Sequence, residues 1–558
     1  MHQTALETRR PGATVIPIII SSDKTQLTLF RDKTAYPIYL TIGNIPKRTR
    51  RKVSCHAQIL IGYIPTTKLV GISNKEARRR ALANLYHACM RDVLGPISSY
   101  GETGLDLLSG DGVWRRCHPI FAAFVGDYPE QALVTCTYYG RCPKCTVPRG
   151  QLGKYESFPL RIQSALIDTY HLVDRDVHMF RLACHEAGLK PIYHPFWETL
   201  PLADVFHSIT PDILHQMHQG MVKHLVSWVI RIFGAATINA RCRAIPPNHN
   251  VMFFSKGITR LSRVSGLEHK KMCSILLGLI VDLPVPGGQD STRIIRAVRA
   301  LMDFLYLAQY ESHTSDTISE LQECLMRFHD NKSAFIDLGI REHFSLPKLH
   351  SLSHYASSIQ LFGTTDNYNT EQSERLHIDL AKNAYRATNH KDEFRQMTKW
   401  LEHRERIQQL SAFIDGVQSH GELQSPYQKA MGPAHACALT LKMKQRPTKA
   451  RVLFDVLARD YAALDFQDAL ADFIAQTNCP GASGAALRHR AHDTHIPFSG
   501  VPVYFNMKFT KGSESEIVDV VHVRPEQKDL HGRTIPARFD TVLVNGTRGG
   551  NKGQSEFY

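Results

Sequence analysis

Short apolar runs separated by turn residues predict a mixed α/β region in the first third of the chain. Thr14–Ile20 is continuous, apolar and β-branched, which is typical of a buried strand. Further strands are predicted over Gln26–Phe30, Ala35–Ile42, Ala57–Ile64 and His118–Val125. Asn74 can cap a helix over Lys75–Leu94, which is expected to end before Gly95-Pro96.

From about residue 155 to residue 414 the apolar positions follow a helical period. Ile213–Phe233 is the clearest case, with apolar residues on every turn. Similar patterns recur over Lys270–Leu283, Arg293–Leu307, Thr317–Phe328, Leu346–Leu361, Glu371–Tyr385 and Asp392–Phe413. This stretch is therefore predicted to be all-helical, in contrast to the region before it.

The last part of the chain changes character again. Gln424–Arg451 is rich in Pro, Gly and Lys and is predicted to be a basic linker. Phe466–Ala475 predicts a helix, and strands are predicted over Val501–Phe509, Ile517–Val523 and Phe539–Val544. The expected organisation is a first α/β part (1–150), a helical insertion (151–345), helices that complete the core (346–423), the linker (424–451) and a small α+β domain (452–558).

Composition narrows the class of protein. The 558 residues are 43% hydrophobic, with 67 Lys and Arg against 52 Asp and Glu, a formal charge of +15. This balance suits a globular protein that binds nucleic acid, or simply a basic one. No uninterrupted apolar run is long enough to span a membrane, and the N-terminus has no secretory signal pattern. The 12 cysteines are therefore expected to be free thiols or metal ligands, not disulfides.

Three acidic residues stand where a metal-dependent nuclease needs carboxylates. Asp23 follows the first apolar strand, Asp127 follows the strand ending near Val125, and Glu374 lies on a predicted helix. This placement is typical of a ribonuclease-H-like site, where carboxylates hold two divalent cations. Hard oxygen ligands suit Mg²⁺. Each acid alone is equally typical of a turn or of a solvated helix face, and a large insertion must fill the gap before Glu374.

A CxxC pair follows the second acid. Cys142 and Cys145 can share one tetrahedral zinc, and Asp212 with His215, three residues apart on one helical face, would complete a ligand set. The alternatives are that Asp212 is a helix-start residue and His215 a buried structural histidine. A redox CxxC lacks its usual βαβ context. Three other histidines lie among apolar residues and are predicted to be structural: His218, His350 and His354.

Clusters of basic residues predict contacts with DNA phosphates, and hence binding that weakens steeply with salt. A solvated surface is the alternative, above all for the second cluster, which has Glu76 nearby. The candidates are Lys47, Arg48, Arg50, Arg51 and Lys52, then Arg78, Arg79 and Arg80, and in the linker Lys442, Lys444 and Arg446.

Several separate segments resemble the Plavaka transposases, which are CACTA-like (EnSpm-like) cut-and-paste transposases of mushroom-forming fungi. They are VIPIIISSDKTQLT, YPIYLTIGNIPK, FVGDYPEQALVTC with CPKC, SITPDILHQMHQGMVKHL, RFHDNKSAFIDLGIREHF and LFGTTDNYNTEQSERLHIDLAKNAYRATNHKDEF. The resemblance implies a DDE transposase with an α/β ribonuclease-H-like core, a large all-α insertion and a small C-terminal α+β domain. It implies nuclear DNA cleavage and strand transfer at element ends, with Mg²⁺ or Mn²⁺.

The resemblance also assigns residues. It implies Asp23, Asp127 and Glu374 as the catalytic metal ligands, with Glu371 as the alternative third acid. It implies a CxxC motif at Cys142 and Cys145, and a following [C/D]xxH motif at Asp212 and His215, the set expected to hold structural zinc. The implied partners are element terminal repeats, target DNA and further copies of the chain.

Two departures from the family pattern modify the expectation. Plavaka-like proteins usually carry a long N-terminal region before the first strand, and their C-terminal domain continues where this chain ends in Asn551–Tyr558. The chain is therefore expected to be a truncated copy with weak or absent strand cleavage. The competing hypotheses are a non-catalytic DNA-binding remnant or host-adapted derivative, and a zinc-stabilised scaffold for protein partners.

Overall fold

The structure is a computed structural model, and it divides the chain into two compact units. It describes residues 12–28, 33–109, 112–246, 248, 251–262, 264–288, 290–419, 439–442, 447–479, 484–511 and 516–528, and short stretches at 532, 534–535, 537–539, 543–544 and 556–557. The first unit comprises Met1–Pro246 and Phe253–Val417, and the second comprises Pro247–Met252 and Gln418–Tyr558.

A five-stranded mixed sheet lies at the centre of the first unit. Its strands are β1 (Ala13–Ser22), β2 (Pro37–Ile42), β3 (Ile59–Tyr63), β4 (Leu105–Leu108) and β5 (Trp114–Val125), in the order β3-β2-β1-β5-β4. β1 is parallel to β5 and antiparallel to β2, while β3 and β4 pair antiparallel with their neighbours. The apolar β1 is thus central, as its continuous hydrophobic run predicts. Thr25–Gln26 and Thr34–Ala35 form a separate two-residue ladder.

Helix α1 (Lys75–Thr103) is longer than the sequence predicts. Asn74 caps its start, accepting the N–H groups of Glu76 and Ala77, but the helix continues through Pro96. The predicted end before Gly95-Pro96 is therefore wrong. A proline removes one helical hydrogen bond, and packing outweighs that loss, because Ile97 and Gly101 beyond it are buried. The helix ends at Gly104, whose positive φ of 75° requires glycine.

The remaining described helices of the first unit cover the sheet and form the helical middle of the chain. The longer ones are α2 (Tyr128–Val134), α3 (Val177–Glu186), α4 (Ile213–Phe233, opening with π-helical turns over Ile213–Val222), α5 (Ala235–Ala244), α6 (Gly266–Leu276), α7 (Thr292–Ala308), α8 (Ser315–Asn331), α9 (Pro347–Ser351), α10 (Tyr355–Phe362), α11 (Thr370–His377) and α12 (Glu393–Ser419). Shorter turns include Lys47–Arg50, Ile167–His171, Val205–Ser208, Ala334–Asp337, Ile378–Lys382 and Asn383–Arg386.

The core of the first unit joins the sheet to α1 and to the segment that follows α3. Ile20, Phe121 and Phe124 of the sheet are buried against Met90 and Trp197. The Trp197 indole N–H donates to the Val134 carbonyl at 2.8 Å, which ties this segment to the end of α2. No single described helix is long and apolar enough to span a membrane; only α4 and α5 taken together meet that criterion, and they are bent by 106°.

The second unit is a small α+β assembly. A four-stranded antiparallel sheet contains Leu439–Lys442, Asn506–Lys511, Glu516–Arg524 and Arg538–Phe539. Lys449–Leu453 pairs with Gly500–Val503, and the helices are Phe454–Asp460, Phe466–Asn478 and Gly484–His492. Short ladders join Gln527–Lys528 to Thr534–Ile535 and Leu543–Val544 to Glu556–Phe557. Its core is built around Val452, Leu457 and Tyr461.

Candidate active site and metal centre

Asp23 and Asp127 lie at the same edge of the central sheet. β1 and β5 are parallel, and Ser21 pairs with Val125, so each acid comes two residues after its paired strand position. Asp127 is also the N-cap of α2, and its Oδ1 accepts the N–H of Glu130 at 3.0 Å. The ends of two central parallel strands therefore bring two carboxylates together, and this edge is where open α/β sheets bind ligands.

The charges around Asp127 are predominantly negative. Burial raises its pKa, and the charges of Asp23 and Asp212 raise it further. The Glu130 N–H and the charge of His215 act in the opposite direction. Carboxylates that raise the pKa of a neighbour in this way form a set of oxygen donors that a bound cation would stabilise.

Asp212, His215 and Glu374 form a hydrogen-bonded chain beside this edge. Asp212 is buried, caps α4, and accepts the N–H groups of Leu214 and His215. His215 donates from Nδ1 to Asp212 Oδ2 at 2.8 Å and from Nε2 to Glu374 Oε1 at 3.1 Å. Burial opposes the charged imidazole, but the hydrogen bonds and charges of the two carboxylates raise the pKa of His215 to about 10. A charged His215 thus holds Glu374.

Helix α11 is attached to the same edge at two further points. Thr370 Oγ1 donates to Asp212 Oδ1 at 2.7 Å. His377 Nδ1 lies 2.9 Å from the Tyr39 hydroxyl on β2, and its Nε2 lies 3.6 Å from Asp23 Oδ2. The helix that carries Glu374 is therefore held to the sheet edge through His377 and to the start of α4 through Thr370. Its first turn carries Glu371, the alternative third acid, whose side chain is exposed.

Glu130 is a buried acid that the sequence analysis missed. Tyr36 donates its hydroxyl to both carboxylate oxygens, at 2.6 and 2.8 Å, and Ser22 donates at 2.9 Å. Burial raises the pKa of Glu130 to about 8; the Tyr36 hydrogen bond opposes this, and the charges of Asp127 and Asp23 add to it. Its position in the sequence could have indicated this role, because Glu130 follows Asp127 by three residues and therefore lies in the first turn of α2.

The two thiols of the CxxC pair lie together with two histidines. Cys142 Sγ is 3.3 Å from His354 Nε2, and Cys145 Sγ is 3.1 Å from His350 Nε2. All four ligand atoms lie within 4.8 Å of one another. Burial opposes ionisation of Cys142, but hydrogen bonds to Cys145 and both histidines lower its pKa well below the usual value. Two sulfurs and two nitrogens at this spacing suit tetrahedral zinc.

This arrangement corrects the zinc ligand set predicted from the sequence. His350 and His354, predicted to be structural, take the places predicted for Asp212 and His215. The reason is local: the Asp212 carboxylate is already occupied by the start of α4, and it turns His215 towards Glu374. The missed signal was the four-residue spacing of the two histidines, which matches the ligand spacing of zinc sites.

The CxxC loop is also anchored to the segment that leads to Asp212. Lys144, between the two thiols, donates from Nζ to the carbonyl of Ile209 at 2.7 Å. Arg161 donates from Nε to the carbonyls of Cys142 and Cys145, both at 3.2 Å. Ile209 in turn forms a parallel bridge with Phe124 of β5. The Cys/His cluster and the acidic edge are thus mechanically connected through β5.

Only part of the predicted phosphate-binding surface is available. Lys47 and Arg51 form ion pairs with Asp366, at 3.1 and 3.3 Å, and the buried Arg50 donates to Asn367. The first basic cluster therefore fastens the turn Lys47–Arg50 to the loop before α11. Of the other candidates, Arg48, Arg79 and Arg80 are exposed, and Arg78 and Lys52 are half-buried. Lys442 lies on a strand, and Lys444 and Arg446 lie outside the described residues.

The N-terminal part of the chain is similar to a known protein family. Residues 1–229 match the family model described as Plavaka transposase. Over these residues the chain is similar to that family. No curated protein matches the chain.

The match relates the first 229 residues to transposases. It includes Asp23, Asp127, the two thiols, Asp212 and His215. Three residues that complete the two clusters lie beyond it, namely His350, His354 and Glu374. The clusters described above therefore join the Plavaka region to the helices that follow it.

Proposed function

We propose that this protein is a DDE transposase in which Asp23, Asp127 and Glu374 hold divalent metal ions for DNA strand cleavage and transfer at element ends. The observation that carries the proposal is the parallel register of β1 and β5, from which Asp23 and Asp127 extend at one edge. Glu374 is tied to that edge through His215, whose charge acts on Asp127.

A ribonuclease-H-like core is part of this proposal. It is supported by the strand order β3-β2-β1-β5. β2 pairs antiparallel with both β1 and β3, and β5 pairs parallel with β1. The long helical region after the CxxC pair would then be an insertion between the second and third acids. Its helices return the chain to the sheet at α11.

The acids fit Mg²⁺ or Mn²⁺ by their chemistry, because carboxylate oxygens are the ligands that these ions prefer. Bound at this edge, the ions would activate the attacking hydroxyl and stabilise the leaving oxygen of the phosphodiester. The residues of the chain itself position the donors. His215 orients Glu374, His377 lies against Asp23, and the Glu130 N–H in the first turn of α2 donates to Asp127.

The Cys/His cluster is proposed to hold a structural zinc. Four residues with no remaining open position form a closed set, which is typical of structural sites. The ion would join the CxxC loop after α2 to α9 and the turn Leu352–His354. It would thereby fix the approach of α10 and α11 to the sheet.

DNA is the proposed substrate, both as element ends and as target, and the nucleus is the proposed place of action. The charge of +15 and the exposed Arg48, Arg79 and Arg80 support an interaction with phosphates. Assembly of several copies on two element ends is proposed with it.

Cleavage of DNA that flanks the gene tests the proposal. Wild-type protein and an Asp127→Ala variant are incubated with a plasmid carrying that DNA and with Mg²⁺ or Mn²⁺. The proposal predicts metal-dependent, end-specific strand cleavage that Asp127→Ala abolishes. Tight, salt-sensitive binding without any cleavage would instead favour the non-catalytic DNA-binding remnant.

A further inference from the structure

A cavity of about 850 Å³ lies behind the acidic edge, between α1, the chain after β3 and the loop after α2. Four cationic side chains line it: Lys24, Arg79, Arg80 and Lys190. Glu76 is the one carboxylate among the lining residues. Among the described residues, no ion pair joins any of the four cations to a carboxylate. The lining therefore has an excess of positive charge that suits an anion.

Aromatic rings form part of the same wall. Tyr36, Tyr86, Tyr138 and Tyr139 all line the cavity. Tyr139 is 72% exposed, yet its ring lies 5.2 Å from that of Tyr128. The Tyr128 hydroxyl accepts the N–H of Gly140 at 2.6 Å and donates to the carbonyl of Arg141 at 2.9 Å. The loop that presents Tyr139 is therefore fixed before any ligand binds.

The cavity adjoins the carboxylates of the proposed active site. Lys24 directly follows Asp23 in the chain. Tyr36 donates to the Glu130 carboxylate, and the Glu130 N–H donates to Asp127. The cavity wall is thus adjacent in the chain to Asp23, and it is one residue, Glu130, away from Asp127. A ligand in the cavity would lie directly beside a phosphodiester held at the acidic edge.

We propose that this cavity binds an unpaired nucleotide of the DNA strand that lies in the active site. Cations would contact its phosphate, and Tyr139 would stack on its base, the combination by which proteins bind single-stranded nucleic acid. A volume of about 850 Å³ accepts one or two nucleotides and is too small for a duplex with its two backbones. The inference rests on the proposed function, because it needs DNA at the acidic edge.

Equilibrium binding in EDTA tests the inference without cleavage. Two labelled probes, a blunt duplex and the same duplex with a five-thymidine 3′ overhang, are compared by fluorescence anisotropy at one salt concentration. Unlabelled thymidine monophosphate is added as a competitor. The wild-type protein is expected to prefer the overhang over the blunt duplex. Tyr139→Ala should weaken overhang binding about tenfold and leave blunt-duplex binding unchanged.

Matched variants test separately the stacking by Tyr139, the charge of the cavity lining and the folding of the protein. Tyr139→Phe keeps the ring and should restore the overhang preference. The double variant Arg79→Ala/Arg80→Ala should lose that preference, whereas Arg78→Ala, on the same helix but outside the cavity lining, should keep it. Because Tyr139, Arg79 and Arg80 are exposed, unchanged thermal unfolding is expected for these variants.

The outcomes distinguish the inference from the proposed function. Blunt-duplex binding with no overhang preference, or a preference that survives Tyr139→Ala, would overturn the inference alone. Competition by the mononucleotide at the affinity of the overhang would show that the ligand is a free nucleotide, which also overturns it. Failure to bind any DNA probe would overturn the proposed function as well.

Discussion

The Cys/His cluster and the acidic edge are both groups of side chains that can bind metal ions, but they differ in closure and in chemistry. In the cluster, four sulfur and nitrogen atoms lie within 4.8 Å of one another, and Cys142, Cys145 and His350 are buried. At the edge, the Asp23 and Glu374 side chains are 32% and 41% exposed. A closed set of soft ligands is typical of structural zinc, and an open set of oxygens is typical of exchangeable catalytic metal.

One sheet can support both kinds of site, because each is built in a different way. The closed cluster joins distant parts of the chain, because its cysteines and histidines are separated by about 200 residues. The open edge consists of strand ends that are adjacent by register, and Glu374 of α11 is linked to it through His215. We therefore expect substitutions in the cluster to lower the stability of the fold, and substitutions at the edge to lower the rate of strand cleavage.

The largest expected effect is the loss of the closed cluster. Cys142→Ser should abolish stoichiometric zinc and lower the unfolding temperature by more than about 10 °C, since structural zinc contributes roughly 10 kcal/mol or more in small domains. Zinc content by elemental analysis and thermal unfolding measure this. Cys242→Ser, at a buried cysteine outside the cluster, is the matched control. Full zinc content in the Cys142 variant would show that the cluster is not a closed zinc site that depends on Cys142.

The second effect concerns the open edge. Asp127→Asn should reduce metal-dependent strand cleavage about 1000-fold or more, because metal binding accounts for several kcal/mol of transition-state stabilisation. Its zinc content should stay at the wild-type level. Asp106→Asn, at an exposed carboxylate on β4 paired with Arg116, is the control and should cleave normally. Equal losses in the two variants would refute a specific role for Asp127.

A smaller effect is expected at the hydrogen-bonded chain that holds Glu374. His215→Ala should weaken Mn²⁺ binding and cleavage by about 10- to 100-fold, the usual cost of removing a partner of a metal ligand. Glu371→Gln, at the exposed acid one turn earlier on α11, should have little effect. If Glu371→Gln were the more damaging change, Glu371 would be the third acid.

The last effect concerns acid sensitivity outside both clusters. His87 lies on the buried face of α1, and burial lowers its pKa to about 4 from about 6.5. Above pH 6.5 His87 is neutral in both the folded and the unfolded state, so its titration does not change the free energy of unfolding. As the pH falls from 6.5 to 4, only the unfolded state takes up the proton, so stability decreases by about 1.4 kcal/mol per pH unit.

His87→Asn should therefore flatten the dependence of the unfolding free energy on pH between 6.5 and 4, as measured by denaturant titration. His178→Asn, at an exposed histidine, should leave that dependence unchanged. A wild-type slope in the His87 variant would show that the acid sensitivity originates elsewhere.

The sequence predicted what is encoded locally. The central strand β1, the cap at Asn74 and the helix over Ile213–Phe233 follow from apolar period and capping residues, and all three are present. The strand-end position of Asp23 and Asp127 follows in the same way. Their common edge required the parallel pairing of β1 with β5, which a single sequence does not reveal.

The errors share a physical cause, namely partners that are far apart in sequence. Lys47 and Arg51 resemble a free basic surface until Asp366, more than 300 residues away, pairs with them. His350 and His354 resemble core histidines until the CxxC loop meets them. Pro96 resembles a helix end until the burial of Ile97 is known. Tertiary packing decided each of these cases.

Binding of Mn²⁺ to the zinc-loaded protein is the most direct test that the acidic edge is a divalent metal site. Electron paramagnetic resonance titration compares the wild type with Asp23→Asn, Asp127→Asn and Glu374→Gln. Each variant is expected to bind Mn²⁺ at least about tenfold more weakly than the wild type while retaining its zinc. Wild-type Mn²⁺ affinity in all three variants would contradict this expectation.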